Sequence, residues 1–141
     1  MLQGIWLGAY LCDCDMIKEI LNEQPEMINE RSRRADNKTP LMIACQAGDP
    51  ECVQLLIDKG AELDAEDVFG RTALMLAAKY NLPNVINMLL KCDSKLIRAV
   101  SEQNMDALMY AVEAGSVEAV VRFFFKKKHF LKDFLKKMID L

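Results

Sequence analysis

A chain of 141 residues with 52% apolar and 28% charged side chains suits one domain around one core, and excludes wholesale disorder and the fibrous classes. Its formal net charge of −3 is unevenly placed: residues 126–141 carry six lysines against Asp133 and Asp140, which is +4 and leaves −7 on the first 125 residues. An acidic body argues against wrapping nucleic acid, and no apolar run is long enough to cross a bilayer.

Met1–Tyr10 has neither the basic start nor the long apolar stretch of a secretion signal. The chain is therefore expected in the cytoplasm, and at 16.0 kDa it is small enough to enter the nucleus passively. Two short helices are expected over Ile5–Cys12 and Asp15–Leu21. They align with the next pair at an offset of 36 residues, with Gly8 in the place of Ala44 and Ile17, Ile20 and Leu21 in those of Val53, Leu56 and Ile57. This first unit reads as a cap with a lengthened outgoing loop.

The second pair opens at Thr39, whose hydroxyl can cap a helix, followed by Pro40 at the first helical position, where no N–H is needed. Leu41 points inward, Ala44 and Cys45 are small enough for close helix approach, and Gly48 can end the helix in a left-handed conformation. Asp49-Pro50 starts the partner helix, whose buried stripe is Val53, Leu56 and Ile57, and Gly60 closes it. The segment Asp64–Arg71 reads as an extended hairpin loop that turns at Gly70. The third pair repeats the scheme with Thr72, Leu74, Ala77, Ala78 and Asn81, then Ile86, Leu89 and Leu90. The loop Lys91–Met105 has no glycine; Asn104 stands where Gly70 stood and Asp106 replaces the Thr cap, so a looser or differently shaped turn is expected. A fourth pair covers Asp106–Gly115 and Val117–Phe125. Lys126–His129 then interrupts the pattern, after which Phe130, Leu131, Phe134, Leu135, Met138 and Ile139 recur at helical spacing.

The segments Thr39–Gly48, Thr72–Asn81 and Asp106–Gly115 start 33 and then 34 residues apart. That period, with the Thr39-Pro40-Leu41 opening and Ala44, resembles the ankyrin repeat over roughly residues 5–125. The resemblance implies an all-α solenoid of stacked helix-turn-helix units (approximately 1–36, 37–69, 70–103 and 104–125), with hairpin loops and a basic amphipathic helix over 126–141. That last helix is expected to cap the apolar end of the stack, its lysines on the wet face. Attachment of Lys126, Lys127 and Lys128 to an anionic membrane is the sharper alternative. A segment cut from a longer repeat array is the third.

Met42, Met75 and Met109 stand where the family pattern has a histidine, and read as packing residues. The family's variable concave face, carried over position by position, falls on Ala35, Asp36, Lys38 and Gln46 in the second unit. In the third unit it falls on Val68, Phe69, Arg71, Lys79 and Tyr80, and in the fourth on Glu102, Gln103, Met105 and Glu113. The third set stands out, because aromatic and Arg side chains carry much of the energy at interfaces. The implied function is a monomeric adaptor that binds another protein on this face; the alternative is an inhibitor that occludes an enzyme such as a protein kinase.

Catalytic chemistry finds no support. His129 has no partner acid or nucleophile, the six glycines form no phosphate loop, and Glu62/Asp64 and Glu66/Asp67 lie on loops. The five cysteines read as small buried hydrophobes of a reducing compartment. Cys12 and Cys14 form a Cys-x-Cys, but no second Cys or His pair follows at ligand spacing, so neither metal nor cofactor is expected.

Overall fold

Helix-capping chemistry recurs four times along the computed structural model, which describes residues 4–140, the side chains of 130, 131, 133 and 134 aside. Each recurrence delimits a helix pair: α1 (Ile5–Leu11) with α2 (Cys14–Glu23), α3 (Pro40–Ala47) with α4 (Pro50–Asp58), α5 (Ala73–Lys79) with α6 (Pro83–Cys92), and α7 (Ala107–Glu113) with α8 (Val117–Ile139). In units two to four the first helix starts at a residue in extended backbone whose side chain accepts from the orphan N–H of the third helical residue. Thr39 accepts from Met42, Thr72 from Met75 and Asp106 from Met109. Gly48 closes α3 at φ 86°, and Asn81 takes the same left-handed region at φ 55°.

First helices stack on first helices and second on second, giving two layers with the core between them. The buried alanines Ala44, Ala77, Ala78 and Ala111 allow the close approach of α3, α5 and α7. Ile17, Val53, Leu56, Ile86, Leu89 and Phe123 fill the second layer and are fully buried. Among the described residues no strand forms, and a single bridge pairs Ser32 with Lys38 at a hairpin tip. The longer exits from units one and three are taken up by 3-10 turns at Pro25–Asn29 and Ser94–Arg98.

Three expectations are corrected. The turn at Asn104 is not looser: Asn104 adopts φ 58° against φ 70° at Gly70, and its N–H bonds the Ser101 carbonyl just as the N–H of Gly70 bonds that of Asp67. Asn tolerates the left-handed region well enough to replace Gly. Second, the helix expected over 126–141 is not separate from the one expected over Val117–Phe125; α8 runs through Lys126–His129 to Ile139, because Lys is a good helix former and Lys127 finds an ion-pair partner in Asp106. Met109, Val112, Val121 and Phe124 remain exposed in the last unit, as do the described side chains from Leu135 to Asp140. The apolar stripe expected at Phe130, Leu131 and Phe134 lies outside the described side chains. Third, the cysteines are not uniformly buried hydrophobes. Cys45 is buried, but Cys92 is exposed, and Cys14 is joined to Cys52 by a disulfide. That separation of 38 residues is the 36-residue offset between units one and two plus two positions within the helix.

Candidate partner-binding face

Three hairpin tips line one edge of the stack. Ser32 N–H bonds the Lys38 carbonyl at 2.9 Å, Asp67 N–H that of Arg71 at 3.0 Å, and Ser101 N–H that of Met105 at 2.9 Å. The tips are also bonded to one another. Val68 N–H donates to the Asp36 carbonyl at 2.9 Å, and Glu102 N–H to the Phe69 carbonyl at 3.1 Å. Arg31 adds a guanidinium bond to the Glu66 carbonyl. Backbone groups that would otherwise need water are thus paired across repeats, which fixes the position of one tip relative to the next.

The central tip is built on Asp67. Its carboxylate is fully buried and accepts four donors: the N–H groups of Phe69 and Arg71 on Oδ1, both at 2.9 Å, and Arg71 Nε and Nη2 on Oδ2, both at 2.8 Å. The Arg71 guanidinium carbon lies 4.7 Å from the centroid of the Phe69 ring, within cation–π range. Asp67 therefore orients Arg71, and Arg71 supports Phe69.

The residues carried over from the repeat pattern differ in exposure. Asp36, Val68, Phe69, Lys79, Tyr80, Glu102, Gln103 and Glu113 are exposed, while Ala35, Gln46, Arg71 and Met105 are half-buried. Val68, Phe69 and Tyr80 expose 49%, 45% and 46% of their surface, high for apolar side chains held on bonded backbone. Lys38 is withdrawn from the surface. Its side chain is only 11% exposed and its ammonium pairs with Asp36 at 3.4 Å. Arg71, 13% exposed, is likewise engaged within the tip. Both were read as surface cations, but each sits at the closing position of a hairpin, beside the next helix start.

A cleft between units three and four draws Phe69, Arg71, Lys79, Gln103 and Glu113 together with Tyr110. Tyr110 was not anticipated; its hydroxyl bonds Ser101 Oγ at 3.1 Å and anchors its ring beneath the third tip. A second cleft lies between units one and two, where Ala35, Lys38 and Gln46 meet Tyr10, Ile43 and Ala47. Tyr10 was also missed. The 36-residue offset makes it the register equivalent of Gln46, which was the signal available in the sequence. Met42 and Met75 are buried, as packing residues should be, whereas Met109 is 51% exposed in the last unit.

Comparison with known proteins agrees with the architecture. A family model described as ankyrin repeats in three copies matches residues 5–99. The chain is 40% identical over 87 residues to mouse ankyrin repeat and SAM domain-containing protein 6, and 43% identical over 72 residues to human ankyrin repeat and SOCS box protein 1. It is 29% identical over 105 residues to the tyrosine-protein kinase HTK16 of Hydra vulgaris. These alignments cover 61%, 48% and 74% of this chain but only 10%, 22% and 14% of the respective relatives. Ankyrin repeats are in general modules that bind other proteins and are not themselves enzymes. On the repeat period, the stacked helix pairs and the matched family model, this chain belongs to the ankyrin repeat family.

Proposed function

We propose that the chain is a protein-binding adaptor whose concave face, centred on the cleft between units three and four, holds a segment of a partner protein. The observation that carries this reading is the convergence of Phe69, Arg71, Lys79, Gln103 and Glu113 on one cleft, with Val68 and Tyr80 exposed at its edge. Such a site offers an aromatic anchor, a cationic wall in Lys79 and one carboxylate in Glu113. It suits a partner segment that brings an apolar side chain flanked by charge of both signs. Docking onto a preformed surface carries little ordering cost. In this reading residues 1–125 form the binding domain, 126–141 extend it, and the protein acts as a monomer inside the cell.

The test is affinity capture from cell lysate with the wild type and with a Val68→Glu/Phe69→Glu/Tyr80→Ala variant, after circular dichroism has matched their helicity and melting. A partner held by the wild type and lost by the variant is the expected result. Retention of every partner by the variant would move the site off this face.

A further inference from the structure

In the inner units a residue suited to left-handed backbone ends the first helix and a proline begins the second: Gly48-Asp49-Pro50 and Asn81-Leu82-Pro83. Each choice answers a backbone demand, a positive φ in one case and an N–H without a partner in the other. In the first unit the same three positions read Cys12-Asp13-Cys14. The backbone is nonetheless the same: Cys12 closes α1 at φ 57° and ψ 34°, and Cys14 is the first residue of α2. A β-carbon is disfavoured at the first position, and the pre-set φ of proline is forgone at the second. Both departures from local preference put sulfur on the same side of the stack.

What they face is a third cysteine and a carboxylate. Because α2 packs beside α4, Cys14 meets Cys52 with Cα atoms 5.3 Å apart. Asp49, the capping residue of α4, brings Oδ2 to 3.7 Å from Cys14 Sγ while accepting from Cys52 N–H at 3.2 Å. The ligand atoms of Cys14, Asp49 and Cys52 all lie within 4.8 Å of one another. Cys12 adjoins Asp49 at the edge of this group, its sulfur outside the three ligand atoms that lie within 4.8 Å of one another. The N-termini of α2 and α4 both open here, and their partial positive charge favours thiolates.

We propose that in the reduced protein Cys12, Cys14, Cys52 and Asp49 bind one thiophilic divalent cation of the zinc class. Sulfur and carboxylate donors at a closed four-coordinate position are what such an ion takes. Tetrahedral ligation at about 2.3 Å sets sulfurs about 3.8 Å apart, a separation compatible with the 5.3 Å between the Cα atoms of Cys14 and Cys52; Cys12 completes the set by turning its side chain toward them. The chemistry balances in two steps. A dithiol reductant delivers two electrons and two protons to the Cys14–Cys52 bond and leaves as its own disulfide. The cation then displaces the protons of Cys12, Cys14 and Cys52 to solvent, forming three metal–sulfur bonds and one metal–oxygen bond. In either state the first unit is clamped to the second, by a disulfide or by a metal; reduced and metal-free, it keeps only packing and the hydrogen bonds between their hairpin tips.

The experiment uses the full chain, reduced with a phosphine and freed of it, with helicity checked by circular dichroism. Cobalt(II) is titrated in, followed by zinc(II). The expected result is a sulfur-to-cobalt charge-transfer absorption that saturates at one equivalent with the intensity of three thiolates and is abolished by zinc. Zinc should shield those three thiols from alkylation while Cys92 stays reactive. Cys14→Ser and Cys52→Ala should lose stoichiometric binding, Cys12→Ser should weaken it roughly tenfold or more, and Cys92→Ser should leave it unchanged. If the folded, reduced wild type shows no charge-transfer band in excess cobalt, or if Cys14→Ser binds as the wild type does, the site does not exist. Because Cys52 is buried in the core, the half-exposed Cys14 supplies the decisive variant should Cys52→Ala melt early.

Discussion

The Asp67 carboxylate is the point at which the architecture of the central tip can be broken by one atom. In Asp67→Asn the side chain keeps its shape but has one acceptor where the carboxylate had two. If the amide oxygen serves the N–H groups of Phe69 and Arg71, the amide nitrogen points at the Arg71 guanidinium, donor against donor. If the amide is reversed, the clash moves to the two backbone N–H groups. Either way two donors lose their acceptor in a position with no side-chain exposure. At about 1–3 kcal/mol for each buried group left unsatisfied, moderated by relaxation of the tip, the expected loss is about 2–4 kcal/mol. For a chain of this size, at about 3 °C per kcal/mol, that is a fall in Tm of about 6–12 °C. Thermal melting and urea titration followed by circular dichroism would measure it. Asp36→Asn is the control, since its carboxylate is half exposed and its bridge to Lys38 contributes at most about 1 kcal/mol. Adding Arg71→Met to Asp67→Asn should recover part of the loss, because the stranded guanidinium is then gone. A melting point for Asp67→Asn within about 2 °C of wild type would refute the assignment of Asp67 as the organiser of the tip.

Gly70→Ala should cost more than the about 1 kcal/mol of a left-handed alanine, because its methyl would stand 2.9 Å from the Glu102 nitrogen that bonds the Phe69 carbonyl; Asn104→Gly, at the matching turn, should change stability by less than about 0.5 kcal/mol in the same urea titration. Thiol reactivity should divide sharply in the native, reduced protein: Cys92 is exposed and should react with a disulfide reagent at once. Burial pushes the Cys45 thiol far above its ordinary range, so Cys45 should react only once denaturant is added; a fast reaction at Cys45 in the folded state would show that α3 opens locally.

Much of this fold could be read from the chain because the repeat writes its rules locally. Thr39, Thr72 and Asp106 each cap a helix from its first turn, and Gly48 and Gly70 each occupy a positive φ that the sequence order alone suggests. What escaped was set by neighbours far along the chain. The Cys14–Cys52 pairing needs the register of α2 on α4. The continuity of α8 through four positively charged or titratable residues was misjudged because a charge run was taken as a break, although lysine favours helix and Lys127 reaches back to Asp106. On the candidate face, residue type identified the right positions but not their roles. Lys38 and Arg71 read as free cations, yet each is committed inside its hairpin, and only the placement of Asp36 and Asp67 reveals it.

That commitment bears on how the proposed face would work. Long cations normally lose rotamer freedom when a partner immobilises them, at about 0.5–1.5 kcal/mol each. Lys38 and Arg71 are already held, so a ligand reaching the cleft beside Phe69 meets a ring whose underside is backed by a fixed guanidinium. The tips themselves are tied across repeats through backbone groups, which leaves the sequence of their exposed side chains free to vary without loosening the hairpins. Truncating Arg71 should therefore weaken binding even if the partner never touches it, by releasing Phe69. Truncating Lys79, which is exposed and lines the same cleft, should act through direct contact alone. A partner whose affinity responds to Arg71→Ala but not to Phe69→Ala would contradict this order of support, since Phe69 would then contribute nothing for Arg71 to hold in place.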